Sequence, residues 1–300
     1  MARRNSSSNS DGFFFKTGLF AILAGIAYWA FSQFGGKKPE PDVDPVVTTD
    51  HPAVSRPNPT VSDDILPVSS TGAIVRHTYY TLSYSEDHEQ AEWVAYELTR
   101  DRLDKNWVDR ATSFFPDPDV RTESATPRDY SGSGYDRGHL VPAADMAFDS
   151  LAMNETFFMS NISPQERAFN GGVWRELEET VRDWARKFEK LYVVTGPVLS
   201  RPGREQIGFS KVTVPDAYFK VLLAPDQHRA IAFLLPNNVS DKPLMEYSCT
   251  IDEVEKLTRL DFFPKMLSGL DEELEASLDK AAWPINNKRY EKRLREWNRR

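Results

Sequence analysis

The densest group of chemically useful residues runs from Gly132 to His139, where three glycines surround an arginine and a histidine. Arg137 and His139 are two residues apart, so in an extended chain their side chains point to the same face. A guanidinium can hold a phosphate through two parallel hydrogen bonds, and an imidazole can take up a proton near neutral pH. This pairing indicates phosphodiester hydrolysis. For His139 considered alone, a structural histidine beside a turn is the competing interpretation.

A second group lies on a predicted helix that starts at Asn170 and carries Glu178 two turns later. Helix geometry places these two side chains about 80° apart, so both can border one cleft. A hard cation such as Mg²⁺ prefers oxygen ligands and keeps several waters, so Asn170 could contact it while Glu178 holds a coordinated water. An ordinary N-cap is the alternative for Asn170. Arg182, one turn beyond Glu178, could pair with it.

Three segments carry a family resemblance when they are taken together and in order. They are Asp136–His139, Ser160–Gln165, and Asn170 followed by Trp174 and Leu177-Glu178. In this combination the chain resembles the DNA/RNA non-specific endonuclease family over about residues 74–263. The resemblance implies an α+β fold with a ββα-metal nuclease core on a central antiparallel sheet.

The resemblance also implies a role for each residue that matches the family pattern. His139 corresponds to the general base that activates water, and Asn170 to the only direct protein ligand of Mg²⁺, with Mn²⁺ as a possible substitute. Glu178 corresponds to the acid that orders the water shell of the metal. Arg137 corresponds to an arginine that contacts phosphate, and Asn161 to an active-site asparagine with a supporting role.

Three further cations are expected to bind substrate. Arg182 falls where some family members place another arginine near the site. Some members also have an arginine directly before an Asn-Trp pair, whereas this chain has Lys105 there and Arg110 close behind. Lysine keeps the positive charge but loses the planar fork. We therefore expect either reduced activity or replacement of that arginine by Arg110.

The implied activity is an endonuclease that cuts DNA and RNA with little sequence preference and leaves 5′-phosphate ends. Contacts to phosphate and sugar carry little sequence information, which explains the low specificity. Two alternatives stay open. One is a catalytically silent nucleic-acid-binding module at a cell surface, and the other is a metal-dependent phosphodiesterase acting on small nucleotides.

The elements that must position these residues follow from the apolar pattern. Residues 74–84 are rich in β-branched and aromatic side chains, which predicts a strand, and residues 91–98 form a second ordered piece. Further strands are predicted at 191–194, 212–214, 218–223 and 230–235, and helices at 172–190, 251–260 and 271–282. This order is not a βαβ alternation, so an α+β domain with an antiparallel sheet is expected.

The chain divides into five predicted regions. A short tail, 1–12, precedes an apolar run at 13–36 that is long enough to span a bilayer and predicts an uncleaved membrane anchor. Residues 37–70 are rich in Pro, Asp, Ser and Thr, which is typical of a flexible tether. The nuclease domain is predicted at 71–268 and a basic helical tail at 269–300, where a solvated terminal helix is the common explanation.

Bulk properties constrain the function only weakly. The net charge of -8 argues against tight nucleic-acid binding by the whole surface, but a basic groove on an acidic body remains compatible with it. The single cysteine, Cys249, excludes an internal disulfide and is interpreted as a buried strand residue. His51, His77, His88 and His228 are interpreted as structural or solvent-exposed. The anchor predicts a catalytic domain outside the cytoplasm, in the bacterial periplasm or at the surface, with the mitochondrial intermembrane space as the alternative; a homodimer is possible.

Overall fold

The computed structural model describes residues 58–105, 107–199, 204–267 and 272–298. The predicted N-terminal tail, the membrane anchor and the first part of the tether lie outside these residues. Among the helices of the described ranges, none combines the length and the apolar composition needed to cross a bilayer. The described residues all belong to one compact unit that spans Arg56–Arg300.

The strands form mainly where β-branched and aromatic residues were found. The predicted strand at 74–84 is in fact two strands, because the chain turns at His77, whose N–H donates to the carbonyl of Tyr80. Within the described residues the strands are β1 (Ala73–Arg76), β2 (Tyr80–Ser85), β3 (Gln90–Thr99), β4 (Asp136–His139), β5 (Ile162–Gln165), β6 (Lys190–Pro197), β7 (Gln206–Ile207), β8 (Val212–Thr213), β9 (Ala217–Ala224), β10 (Arg229–Pro236) and β11 (Ser248–Cys249).

Seven of these strands make one sheet in the order β1-β2-β3-β6-β9-β10-β11. Every neighbouring pair in it is antiparallel, so the predicted central antiparallel sheet is confirmed. Strands β4 and β5 form a separate antiparallel pair, with His139 opposite Ile162 and Asp136 opposite Gln165. A helix follows this pair, which gives the expected ββα arrangement.

Helical structure is found at each of the three predicted positions but with different lengths, and three short helices before residue 170 were not predicted. The α-helices are Arg100–Leu103, Ser150–Glu155, Arg167–Phe169, Arg175–Phe188, Ile251–Thr258, Glu272–Glu275 and Asn287–Lys292. Two π-turns, Asn170–Trp174 and Arg293–Trp297, adjoin two of them. The predicted helix at 271–282 is broken into two short pieces, Glu272–Glu275 and a 3₁₀ turn at Lys280–Ala282.

The central sheet is buried on both faces because its strands alternate between two apolar clusters. On β3, Val94 and Tyr96 belong to one cluster, while Trp93 and Ala95 belong to the other. The first cluster includes the inner face of the helix Arg175–Phe188, which we call the long helix. Buried side chains recur at helical spacing through this helix and the turn before it, as the sequence predicts: Val173, Leu177, Val181, Trp184 and Phe188.

Both ends of the domain extend further than the sequence suggests. Val61 and Ile65 lie in the predicted tether, yet they are buried in the second cluster, so residues 58–70 pack on the domain. The predicted solvated tail is likewise packed, because Trp283, Arg293 and Trp297 are each at most 1% exposed. The buried residues in these two segments are too few and too widely spaced to form a periodic pattern. Only the tertiary contacts of the fold reveal their burial.

Candidate active site

Strand β4 presents Arg137 and His139 to one cleft, as their spacing of two residues predicts. A Cβ atom at Gly138 would lie 2.1 Å from the side chain of Gln165, so glycine at this position leaves the space that the buried Gln165 side chain occupies. Four other predicted site residues line the same cleft: Arg110, Asn170, Glu178 and Arg182. The structure thus brings six of the eight predicted site residues together.

The ring of His139 is enclosed by aromatic side chains. Its centroid lies 5.5 Å from that of Phe114 and 4.9 Å from that of Phe157. Burial, and to a smaller extent the positive charge of Arg110, together lower the pKa of His139 to about 3, so the imidazole is neutral at pH 7. Its buried Nε2 has no hydrogen-bond partner among the described residues, and such an orphaned atom often marks a functional site.

Asn170 begins the π-turn rather than capping a helix. Its backbone is helical and its N–H donates to the carbonyl of Glu166, so the N-cap alternative does not hold. Its side-chain Nδ2 donates to Asp136 Oδ2 at 3.2 Å, and this bond assigns the amide nitrogen to Asp136. The amide oxygen, which has no hydrogen bond within the described ranges, is the atom available to a cation. Such π-turns often occur at functional sites.

Glu178 lines the cleft and is surrounded by charged groups. Burial raises its pKa, Lys220 and Arg182 oppose that effect, and Asp145 adds to it. A carboxylate in this position gains most from a nearby cation, because the cation favours its ionised form. Asn170 and Glu178 together offer oxygen atoms only, which suits a hard divalent ion.

Arg137 is fixed at one end and free at another. Its Nη2 donates to the carbonyl of Pro127 at 2.8 Å, and its guanidinium lies over the ring of Phe114. The buried Nε has no hydrogen-bond partner in the part of the chain that the structure describes. This group is therefore oriented by the protein, and its Nη1, which makes no hydrogen bond within the described residues, is the donor available to a phosphate.

Arg182 is held by a different acid from the one expected. Its Nη1 donates to Asp145 Oδ1 at 2.9 Å, whereas the sequence suggested a pair with Glu178. Burial acts to lower the pKa of Arg182, but Asp145 and Glu178 raise it above the ordinary value. Asp145 also accepts a hydrogen bond from the hydroxyl of Tyr96, so the arginine is charged and rigidly placed.

Of the two cations considered for the place of the family arginine, Lys105 lies outside the cleft and Arg110 lies in it. The Lys105 ammonium lies 5.6 Å from the centre of the Phe148 ring and does not line the cleft. Arg110 does line it, with its guanidinium 5.0 Å from the centre of the Phe157 ring, so Arg110 is the cation placed to replace the family arginine. The partner of Lys105 in the Asn-Trp motif, Asn106, lies outside the described residues.

Asn161 is fully buried and hydrogen-bonded to the backbone on several sides. Its Nδ2 donates to the carbonyls of Val141 and Thr156, and its Oδ1 accepts from the N–H of Val141. Its own carbonyl accepts from the N–H of Leu140, the residue after His139. Asn161 therefore acts as a positioning residue that fixes the chain behind the histidine, rather than as a group in the cleft.

Three residues of the site were given no role in the chemistry by the sequence analysis. Trp174 Nε1 donates to the carbonyl of His139 at 3.3 Å, which joins the helical segment to β4. Lys220 lies on β9 with its ammonium 4.7 Å from the centre of the Trp174 ring. Arg175 lines the cleft beside Asn170. The one available signal was Lys220, a lysine in the otherwise apolar strand Ala217–Ala224.

A second group of potential metal ligands consists of His77, Asp117 and Asp119, whose ligand atoms lie within 4.8 Å of one another. His77 Nε2 is 2.9 Å from Asp117 Oδ2, which also accepts a hydrogen bond from the Ser160 hydroxyl. None of the three lines the cleft. The buried pair His77–Asp117 agrees with the structural role predicted for that histidine.

The thiol of Cys249 and the remaining described histidines stay outside the chemistry. Burial raises the pKa of Cys249 to about 12, so the thiol is protonated and unreactive, as expected for a structural residue. His228 is exposed in a turn, and His88 Nδ1 lies 3.1 Å from the Thr213 hydroxyl. His51 lies outside the described residues.

The chain is similar to several nucleases. The protein named Nuclease EXOG, mitochondrial, of Xenopus laevis is 36% identical over 204 residues, which are 62% of this chain and 57% of that protein. Nuclease C1 of Cunninghamella echinulata var. echinulata is 38% identical over 204 residues, covering 62% of this chain and 81% of the relative. The match therefore spans little more than half of the Xenopus protein.

The fold is also found in a solved structure. A chain in the crystal structure of the EndoG/EndoGI complex aligns with a TM-score of 0.61 and 30% identity, covering 65% of this chain and 87% of that chain. The model of the family described as DNA/RNA non-specific endonuclease matches residues 59–268, which include β4, β5, the π-turn and every residue of the cleft named above. With more than half of its length matched in this way, the chain belongs to the DNA/RNA non-specific endonuclease family.

Proposed function

We propose that the chain is a metal-dependent endonuclease that hydrolyses phosphodiester bonds of DNA and RNA with little sequence preference. One observation carries this proposal: a neutral histidine, an amide side chain, two carboxylates and four arginines line the same cleft. General-base chemistry, cation binding and phosphate binding are the three requirements of metal-assisted phosphodiester cleavage.

The donor set fits a magnesium ion, with manganese as a substitute. Asn170 would supply the direct ligand through its amide oxygen, since its nitrogen is bonded to Asp136. Glu178 would accept hydrogen bonds from water molecules around the ion. When bound, such an ion supplies electrostatic stabilisation of the negative charge that develops at the phosphate.

The side chains of the protein perform the remaining steps. His139 is neutral, so it can take a proton from the water that attacks phosphorus. Arg137 lines the cleft and would hold a non-bridging oxygen through its free Nη1 donor. Arg110 and Arg182 add positive charge at the same cleft, which favours a substrate with several phosphates.

Low sequence specificity follows from the kinds of groups in the cleft. Arginine forks recognise phosphate oxygens, which are the same for every base and for both nucleic acids. Cleavage of the bond to the 3′ oxygen leaves 5′-phosphate ends, as the family resemblance implies. Labelling of the ends with a kinase, before and after phosphatase treatment, measures this directly.

The central test is the substitution His139→Ala in the full chain. Loss of a positioned base typically costs about 10²–10⁴-fold in rate, so plasmid nicking should fall by at least that range. The control is His228→Asn, because His228 is exposed in a left-handed turn that asparagine tolerates. Digestion of plasmid by His139→Ala at the parental rate contradicts the assignment of the base.

A magnesium titration separates this function from its two competitors. We expect cleavage of supercoiled DNA, single-stranded DNA and RNA to need the ion and to stop in EDTA. A silent binding module would retain DNA without cutting it at any magnesium concentration. A phosphodiesterase for small nucleotides would hydrolyse a dinucleotide faster than a long duplex.

Location and assembly stay predictions. Several relatives carry the word mitochondrial in their names, among them Nuclease EXOG of Xenopus laevis and Endonuclease G of Homo sapiens. These names keep the mitochondrial intermembrane space as an alternative to a bacterial envelope. Membrane attachment is predicted from residues 13–36, which lie outside the described residues. A homodimer is a prediction from the family resemblance.

A further inference from the structure

The chain continues beyond the family-matched region, and this continuation folds onto the long helix. The helix Asn287–Lys292 leads into the π-turn Arg293–Trp297, and we call these residues, with Asn298, the C-terminal strap. Arg293 and Trp297 of the strap are 0% and 1% exposed, which is unusual for an arginine and shows a built interface.

Ion pairs attach the strap to the outer side of the long helix. Arg293 Nε lies 2.7 Å from Glu176 Oε2. Arg289 contacts two further carboxylates, Glu179 at 3.1 Å and Asp183 at 2.6 Å. Arg289 and Arg293 thus oppose the negative charge on this side of the helix, next to the catalytic cleft.

The strap also reaches a residue that lines the cleft. The guanidinium carbon of Arg175 lies 4.3 Å from the centre of the Trp297 ring, the shortest such contact among the described residues. Arg175 Nε donates to Glu179 Oε1 at 3.0 Å, and Glu179 uses its other oxygen for Arg289. An arginine stacked on a ring and paired at one edge has a fixed direction.

This arrangement leaves part of Arg175 available. Its side chain is 41% exposed and borders the cleft together with Asn170 and Glu178. Neither Nη atom has a hydrogen bond within the part of the chain that the structure describes. The contacts around Arg175 and the strap involve four cations and three carboxylates: Arg175, Arg289, Lys292 and Arg293, with Glu176, Glu179 and Asp183.

We propose that Arg175 binds a backbone phosphate of the polynucleotide next to the bond that is cut, and that Trp297 positions Arg175 for this contact. The ligand is a flanking phosphodiester of DNA or RNA, so the inference rests on the proposed function. Arg175 is a substrate-binding residue in this arrangement, and Trp297 is a positioning residue that acts through it. The strap is accordingly part of the substrate site.

The test measures how binding depends on salt. A protein that neutralises Z phosphates of B-DNA shows a slope of about −0.9Z in a plot of log K against log salt. We expect Arg175→Gln to reduce the magnitude of this slope by about 0.9 and to weaken binding equally for all sequences. Fluorescence anisotropy of a labelled duplex, with the full chain in EDTA, gives the slope without any turnover.

Matched variants isolate the role of the ring. Trp297→Ala should reduce the slope in the same way as Arg175→Gln, whereas Trp297→Phe should restore most of it because a stacking face remains. Arg295→Gln is the control for charge, since Arg295 is exposed on the same strap. Should Trp297→Ala melt at a lower temperature, Arg175→Gln and Trp297→Phe still decide the matter.

Turnover gives an independent readout. With magnesium, Arg175→Gln should raise KM for a long duplex more than it lowers kcat. Its effect on the hydrolysis of an isolated phosphodiester, bis-p-nitrophenyl phosphate, should be much smaller. Equal salt slopes for the parental protein and Arg175→Gln overturn the inference, as does an equal loss on both substrates. A parental protein that binds duplex but never cuts it would instead contradict the proposed function.

Discussion

His139 is placed between two opposing requirements. Burial and Arg110 lower its pKa to about 3, which keeps it neutral and ready to accept a proton but makes it a weak base in the free protein. A substrate phosphate that neutralises Arg110 would remove one of these two causes. The base is therefore expected to strengthen when substrate binds, since a like charge no longer opposes its protonation.

This coupling predicts the effect of removing the arginine. In Arg110→Met the positive charge near the ring is lost, so the pKa of His139 should rise from about 3 but stay below the ordinary value, because burial remains the larger cause. Titration of the ring carbon-bound protons by NMR, in the absence of metal, measures it. The control is Arg121→Met, which removes an exposed charge that does not line the cleft.

The same shift has a consequence for stability. The folded pKa of His139 lies below its unfolded value of about 6.5, so its neutral form stabilises the protein fully above that pH. This contribution is lost as the pH falls from about 6.5 towards 3. In Arg110→Met the pH range over which this stability is lost should begin at the same upper limit but end at a higher pH, because the folded pKa is higher. An unchanged pKa of His139 in the variant contradicts the assigned role of Arg110.

At this scale the sequence predicted what depends on short spacing and missed what depends on packing. The two-residue period of a strand was enough to place Arg137 and His139 on one face. The contacts of Asn161 were not predictable, because they involve Val141 and Thr156, which only the folded chain brings to it. Lys105 was assigned by its neighbours in sequence, whereas the fold directs it to Phe148.

At the scale of elements, strand β9 places a buried positive charge, the Lys220 ammonium, against the helical segment. The Lys220 side chain packs against the ring of Trp174. Trp174 precedes Glu178 by four residues in the helical segment. Burial lowers the pKa of Lys220, and the negative charge of Glu178 opposes that effect. Its Nζ has no hydrogen-bond partner among the described residues, so it serves as a buried positive charge near the carboxylate.

A buried, unpaired ammonium costs stability, which predicts a trade-off. Lys220→Met keeps the length of the side chain and removes the desolvation penalty, so the free energy of unfolding should rise by about 1 kcal/mol and the melting temperature by about 2–4 °C. Activity should fall, because Glu178 loses a charge that favours its ionised form. Thermal unfolding and the half-saturating magnesium concentration measure the two effects.

The matched control is Lys256→Met, since the Lys256 side chain is 76% exposed and carries only a long contact to Asp252. It should leave both the melting temperature and the magnesium requirement unchanged. A Lys220→Met variant that is less stable and equally active would show that the ammonium is a structural group without influence on the site.

The elements themselves were predictable to the extent that they have a clear period. The buried face of the long helix and the alternation of the strands follow from local pattern, and the structure confirms both. The π-turn at Asn170–Trp174 was not predicted, since an extra residue in a turn leaves no periodic signal. Because of this turn, the segment is not the regular α-helix from which an angle of about 80° between the side chains of Asn170 and Glu178 was predicted. The two side chains nevertheless line one cleft.

At the scale of the whole molecule, charge is distributed unevenly. The chain carries a net charge of -8, but its cleft is bordered by four arginines against two glutamates: Arg110, Arg137, Arg175 and Arg182 against Glu178 and Glu179. Composition could not predict this, because it averages over surfaces that never meet the substrate. A local positive field on an acidic body attracts phosphate while limiting retention of the products.

The C-terminal region packs on the same core as the centre of the domain. Trp283 packs edge-on against Trp184 and Phe188 of the long helix, and the carbonyl of Pro284 accepts a hydrogen bond from Trp184 Nε1. Trp297 adds the contact to Arg175 at the other end of that helix. The region beyond the family match therefore covers core side chains that would otherwise face water.

Ending the chain after residue 278 should consequently destabilise the whole domain. The loss of a buried tryptophan costs about 3–5 kcal/mol and the truncation removes two, against a total stability of about 5–15 kcal/mol for a typical domain. Urea unfolding followed by tryptophan fluorescence should show a much lower midpoint or no folded baseline. The control ends after residue 298 and keeps every contact named here. Equal midpoints for the two truncations would mean that the strap only rests on a domain that is complete without it.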